Sequence, residues 1–410
     1  MIEKYYSGVI EQIYNRIGKE TRNIVMANYS NDFSIENLEV IRRYQSNEDN
    51  VFFAYSEFSY NTLVGAYEPF LDIICNMHRR FIGGSFDDFQ KECGVYYLHR
   101  QVLNSYYETG ECFREETVLL NEVAYEQRRM TMAIADMLKK LSEVKPLMIV
   151  INRFQMASKS SIETIKYLID NPCANIGIVL GVNAIVKGTD STVEVWDRIV
   201  ESLEDRSAIY YIGSAGPLKN NVKTTNDDEL YITMNFEQSI QEASNIMEFL
   251  DFEQARRGCR IIEHKLKFED AWIDEKSLRR FYMVYARTSV LLGEMSKAIE
   301  LTNEYKALIP ENDSEHYLSL YYFMKGTCYM YQGKLEKAGN SAKSAYDYAV
   351  LAEDDTLIFK AELLSVMIKM SGWYNIFFCV QDIPVSDEII EKLIKHGYRN
   401  HLAHIYIYAY

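Results

Sequence analysis

The chain is short of the signatures that would assign it a chemistry outright. Its seven cysteines, Cys75, Cys93, Cys112, Cys173, Cys259, Cys328 and Cys379, are odd in number and scattered, with no Cys-x-x-Cys pair. That pattern argues against a disulfide framework and a zinc cage, so no metal is expected, and it fits a reducing, cytoplasmic setting. No apolar run approaches the roughly 20 residues that a membrane helix needs. The N-terminal Met-Ile-Glu-Lys-Tyr-Tyr-Ser also lacks the apolar core of a secretion signal, so no membrane partner is expected. Basic residues are outnumbered: 44 Lys and Arg against 59 Asp and Glu give a net charge of −15, with no basic run. Such a surface repels phosphate backbones, and nucleic acid is not an expected partner. A Ser-His-Asp order, a nucleophile elbow and a dinucleotide fingerprint are all missing.

What is present is ample apolar material, 48% of 410 residues. A chain of that length exceeds what one core usually holds, so two or three domains are expected. Residues 147–151, Leu-Met-Ile-Val-Ile, follow Pro146 and stop at Asn152 and Arg153; this reads as a strand buried on both faces in a parallel sheet. Ser158, Ser160 and Ser161 then offer caps to a helix carrying Ile162, Ile165, Leu168 and Ile169 at helical spacing. Further strands are read near residues 23–29, 51–57, 174–183 and, more weakly, 209–213. Residues 1–17 read as a helix preceding the sheet. Residues 68–144 read as mainly helical, ending in a helix over about 116–141 whose apolar stripe includes Leu119, Leu120, Val123, Met130, Ile134, Met137 and Leu141.

Strand, polar loop and helix over residues 23–41 is the frame of a phosphate-binding loop. With Asn37 and Leu38 laid after the last loop position, that loop falls on Tyr29 to Glu36, where there is neither glycine nor lysine and where Asp32 and Glu36 would repel phosphate. Gly18-Lys19 reads instead as a helix C-terminus.

The text Asn152-Arg-Phe-Gln-Met-Ala-Ser-Lys-Ser-Ser-Ile162 resembles the Walker B region of the STAND branch of AAA-type ATPases, four apolar residues followed by Asp-Asp-Leu-Gln-Trp-Ala-Asp-Pro-x-Ser-Leu. Gln155, Ala157 and Ser161 match in register, and all three acids are replaced. Residues 67–74, Tyr-Glu-Pro-Phe-Leu-Asp-Ile-Ile, resemble a segment following the second strand in that family. The resemblance spans about residues 23–213 and implies a P-loop-like sheet. The nucleotide positions it implies, Tyr29, Asp32, Ile35, Glu36, Asn152, Arg153 and the sensor position Asn183, carry none of the family's catalytic groups. It therefore implies a pseudo-ATPase with no cofactor and no catalytic residue.

Residues 214–235 begin with Gly-Pro-containing polar text and read as a linker between an α/β domain at 1–213 and helices at 236–410. In the second part Gly326, Tyr329, Gly333, Ala338, Ala342 and Ala345, with Ala286, Gly293 and Ala298 before them, resemble tetratricopeptide spacing. Gly293, Gly333 and Gly372 recur at intervals of about 40 residues, slightly longer than the usual repeat of ~34. Trp373 to Phe378 reads as a seam between repeats. His396, His401 and His404 lie close in sequence without a nearby acid or cysteine, and read as surface or repeat-contact residues rather than metal ligands. The paired acids Asp87 and Asp88, Glu115 and Glu116, and Asp227 and Asp228 read as solvated faces or caps. A helix over 386–396, capped by Ser386, buries Ile389, Ile390, Leu393 and Ile394. The final helix, 400–410, reads as an unfinished repeat and a candidate for self-association.

The expected class is thus α/β plus all-α: a degenerate parallel-sheet domain, then an α-solenoid binding a protein or peptide. Together they would form a non-enzymatic regulatory module for an output domain outside this sequence. The arrangement resembles bacterial activators of the maltose-regulator type and, more loosely, the N-terminal region of clostridial proteins ending in a diguanylate cyclase (GGDEF) domain. The alternative is a working nucleotide switch with an unusual loop.

Overall fold

An apolar run buried on both faces must pair its backbone within a sheet, and residues 147–152 and 176–183, buried along their whole length, form strands with a neighbour on each side. In a computed structural model, the structure describes residues 2–30, 38–46, 50–59, 63–114, 116, 118, 120–183, 186–187, 193–206, 208–213, 215, 223–224, 235–268, 273–312, 314–376 and 387–409. The elements run α1 (Ile2–Arg16), β1 (Ile24–Tyr29), α2 (Glu39–Gln45), β2 (Phe52–Glu57), α3 (Phe70–Met77), α4 (Phe86–Glu92), α5 (Tyr97–Thr109), α6 (Val123–Val144), β3 (Leu147–Asn152), α7 (Lys159–Asp170), β4 (Ile176–Asn183), β5 (Val186–Lys187), α8 (Val193–Glu204), β6 (Ile209–Ile212) and β7 (Lys223–Thr224). Helices follow: α9 (Phe236–Glu248), α10 (Phe252–Phe268), α11 (Glu275–Leu291), α12 (Met295–Ala307), α13 (Ser314–Tyr331), α14 (Leu335–Leu351), α15 (Asp355–Ile376), α16 (Asp387–Lys395) and α17 (Arg399–Ala409).

Five strands make one parallel sheet in the order β2-β3-β4-β1-β6, and β5 pairs with β7 apart from it. The connection from β1 to β2 runs one way across the sheet, and those from β2 to β3, β3 to β4 and β4 to β6 run the other way. Right-handed crossovers then place α2 on one face and α6, α7 and α8 on the other. On the α2 face Val25, Ala27, Tyr29, Phe53, Met148, Val150 and Val179 pack with Tyr6, Val9, Ile10 and Ile13 of α1 and Val40 and Ile41 of α2. Residues Met26, Ile149, Ile151, Ile178 and Leu180 alternate with these and are fully buried.

By contacts the chain divides into two units: residues 1–115 with 121–270, and residues 116–120 with 271–410. The contact boundary therefore falls later than the boundary suggested by composition, because α9 and α10 pack within the sheet unit. Asn245 accepts from the Cys112 amide at 2.9 Å, Gln254 donates to the Val64 carbonyl at 2.9 Å, and Phe249 meets the rings of Tyr67 and Tyr106. The expected linker at 214–235 lies largely outside the described residues.

Some helix limits differ from the periodic reading. The helix expected over about 116–141 is α6, which starts at Val123. A single turn of 3-10 helix at Leu120–Glu122 precedes it, and Glu116 is not helical. Met130, Ile134, Met137, Leu138 and Leu141 are its buried stripe.

In the second unit, short turns join α11 to α12 and α13 to α14, with Gly293 (φ 78°) and Gly333 (φ 71°) in the left-handed conformation that glycine adopts without strain. Ala338, Ala342 and Ala345 of α14 are fully buried, and a methyl at Gly326 of α13 would sit 3.0 Å from Leu364 of α15. Gly372 lies inside α15 and does not repeat the turn. In α16, Ile389 and Leu393 are buried but Ile394 is 60% exposed, contrary to its expected place on the inner face. Cap residue Ser386, the later part of the aromatic segment and Cys379 lie outside the described residues. Among the described residues no helix is long and apolar enough to cross a membrane.

Candidate functional site

An open parallel sheet offers ligands a crevice at the carboxyl ends of its strands, where neighbouring connections leave in opposite directions. Here that place lies between β1 and β4, and register puts Tyr29 opposite Asn183 there. The period-2 alternation that sends Met148 and Val150 to the α1 face sends Asn152 there too, beside Tyr29.

Three of the seven sequence-derived positions come together at this edge. Tyr29, with no exposed surface, donates its hydroxyl to Asn152 Oδ1 at 2.6 Å, and Asn152 is fully buried. Asn183 lies in register with Tyr29, and its amide donates to Gln155 Oε1 at 3.3 Å. The scaffold residue Gln155 thus ties the turn after β3 to the end of β4. A fourth, Arg153, turns aside: it takes a left-handed conformation (φ 53°) and pairs with Glu57 Oε1 at 3.1 Å. The remaining three, Asp32, Ile35 and Glu36, lie outside the described residues.

Sequence reading missed three members of the constellation: Tyr6, Tyr55 and Glu57. Tyr6 comes from α1 and is fully buried, its ring edge-on to Tyr29 at 6.3 Å. Burial pushes its hydroxyl well above the usual tyrosine range, and nearby Tyr29, Tyr55 and Glu57 add to the shift. Tyr55 donates to Glu57 Oε2. Glu57 ends β2 in register with Asn152, so among the described residues a carboxylate at this edge stands on the strand beside Asn152. The only signal for it in the sequence was its place as the last residue of a strand.

Gly181 shows how tightly the edge is filled. A methyl there would lie 2.4 Å from the Tyr6 hydroxyl and 2.8 Å from Asn152 Oδ1, closer than any packed carbon tolerates. The turn after β3 is fixed just as firmly. Ser158 caps α7 by accepting from the Ser161 amide, Ser161 donates to the Glu68 carbonyl at 2.8 Å, and Ser160 Oγ accepts from the Tyr67 amide at 3.0 Å.

At the opposite edge of the sheet a cleft of about 210 Å³ is lined by Arg16, Arg22, Arg206, Asn23 and Tyr210 among others. Three helices, α1, α7 and α8, end near it, and helix C-termini attract cations. Arg206 donates to the Ile169 carbonyl at the end of α7, and Arg16 pairs with Glu20. Arg206 thus serves the end of α7 and Arg16 is paired with an acid, so the cleft is not read as an anion site.

Among the described residues no group of three or more His, Cys, Asp and Glu side chains could hold a metal ion. His401 does have an acid beside it, contrary to the expectation from sequence: Glu116 Oε1 lies 2.7 Å from its Nδ1, across 285 positions. His396 instead stacks on Phe359. Asp87 and Asp88 pair with Lys91, as expected of surface acids. No family model, no curated protein and no solved structure matches the chain.

Proposed function

We propose that the chain is a regulatory module in which a degenerate ATPase-like sheet unit serves as a scaffold and the helical unit, a tetratricopeptide-like array, binds a protein or peptide. The observation that carries the first half is the Tyr29–Asn152 hydrogen bond. In a nucleotide-hydrolysing sheet the switch-point edge must stay open for phosphate, magnesium and water. Here buried tyrosine rings and an amide occupy it, and Arg153, where an acid would hold the metal, is paired with Glu57. The second half rests on the small residues Gly326, Ala338, Ala342 and Ala345, which let helices approach closely, and on the recurring left-handed turns at Gly293 and Gly333.

One observation favours the alternative of a nucleotide-binding switch: Glu57 leaves a carboxylate at the strand ends, in register with Asn152. Thermal unfolding with and without millimolar magnesium-ATP or magnesium-GTP separates the two. The scaffold reading expects an unchanged midpoint, because only a ligand that prefers the folded state shifts it. A rise in the midpoint that is lost in Glu57→Gln would replace it with the switch.

A further inference from the structure

In the helical unit the most costly burial belongs to a residue far from it in sequence. Residues 116–120 group by contacts with residues 271–410. Of these, Glu116 has no exposed surface and Val118 is 8% exposed. Connecting segments usually leave their acids in water, since a buried carboxylate costs several kcal/mol unless donors surround it. Glu116 has such donors. Its Oε1 accepts from the His401 backbone amide at 2.8 Å and faces His401 Nδ1 at 2.7 Å. His401 lies in the first turn of α17, where unpaired amides and the helix dipole favour an anion, and it is itself 3% exposed. At the other end of the segment the Leu120 amide donates to the Tyr331 hydroxyl, at the end of α13, at 3.3 Å. One side-chain charge and one main-chain group are therefore read four residues apart, with a buried aliphatic residue between them.

We propose that residues 116–120 are a peptide ligand carried in cis. The surface formed by the first turn of α17, His401 and Tyr331 would recognise a peptide with a carboxylate two residues before an aliphatic side chain, and the chain's own segment is its resident occupant. A partner peptide of that chemistry binds by displacing it, which makes the segment a built-in competitor. The inference rests on the reading of the helical unit as a peptide-binding array.

The test uses the full chain and a fluorescein-labelled synthetic peptide of residues 113–122, read by fluorescence anisotropy. Releasing the resident segment with Glu116→Lys should tighten peptide binding by about tenfold or more, because an occupied site lowers apparent affinity by the fraction that is free. Adding His401→Ala to that variant should abolish the gain, and a peptide with Gln at the Glu116 position should bind about tenfold more weakly. In the wild-type chain, saturating peptide should speed hydrogen exchange in residues 116–120. This last measurement needs no variant to fold. The proposal is overturned if a folded Glu116→Lys chain binds the peptide no more tightly than wild type, or if wild-type exchange in 116–120 does not respond to peptide. Such a result leaves the scaffold reading intact, since that reading falls only to nucleotide binding that depends on Glu57.

Discussion

The Tyr29 hydroxyl is the residue-scale feature that distinguishes this sheet edge from an open one, and its removal is informative. Tyr29→Phe keeps the ring and deletes the 2.6 Å bond to Asn152 Oδ1. The variant should lose about 0.5–1.5 kcal/mol in urea unfolding, the net worth of one buried hydrogen bond. A loss under a few tenths of a kcal/mol would show that the edge is not braced by this bond. Glu242 supplies a second residue-scale prediction. A methyl on Gly65 would lie 2.9 Å from Glu242 Oε1 and 3.4 Å from Glu68 Oε2, so the two carboxyls crowd one glycine. Burial first, then Glu68 and Asp72, push Glu242 from its ordinary 4.5 up to about 7. Its folded form therefore holds a proton that the unfolded chain releases between those values. The stability this contributes is full below about pH 4.5 and is lost as pH rises through 7. Replacing the side chain by glutamine should flatten that fall, so Glu242→Gln should gain on wild type between pH 5 and 7.5 in thermal melts. Parallel curves for the two chains would rule it out.

At the scale of elements, the periodic and buried runs were legible in the sequence and the caps only partly so. All five strands of the main sheet follow from apolar runs bounded by polar breaks; the runs are clearest in β3 and β4, buried along their whole length, and weakest in the partly exposed edge strand β6. Ser158 was legible as the cap of α7, a local signal three residues long. A second capping group was not. Asp251, fully enclosed and with its carboxyl pushed up by burial, accepts from the Ser160 amide at 2.9 Å through one oxygen and from the Gln254 amide through the other. One side chain thus serves the starts of both α7 and α10. The first of those contacts spans 91 positions, which no periodicity reveals. The edge cluster was legible to the same degree. Asn152 and Asn183 announce themselves as polar ends of apolar runs, whereas Tyr6 looks like any apolar position of an amphipathic helix. Asp251→Ala should cost about 1–3 kcal/mol, more than the ~1 kcal/mol of a single lost cap, because two helix starts lose an acceptor together. A chemical denaturation midpoint unchanged from wild type would refute the double role.

At the scale of the whole molecule, composition and contacts divide the chain differently, and the difference can be measured. Polar text with Gly-Pro at 214–228 marks a change of composition, yet α9 and α10, which follow it, supply groups that the sheet unit uses. Without them the Ser160 amide loses Asp251, the Cys112 amide loses Asn245, the Val64 carbonyl loses Gln254, and Tyr67 and Tyr106 lose the Phe249 ring. The cut opens these groups to water together with the apolar surface that Phe249 covers, about 1.5–3 kcal/mol for each large side chain exposed. Two or three such losses approach the 5–15 kcal/mol by which a domain is stable at all. A fragment of residues 1–213 should therefore fail to unfold cooperatively and should expose apolar surface to a hydrophobic dye. A fragment of residues 1–270 should give a single cooperative transition. Equal cooperativity of the two fragments in calorimetry would place the physical boundary where the composition changes, and α9 and α10 would then belong with the helices that follow them.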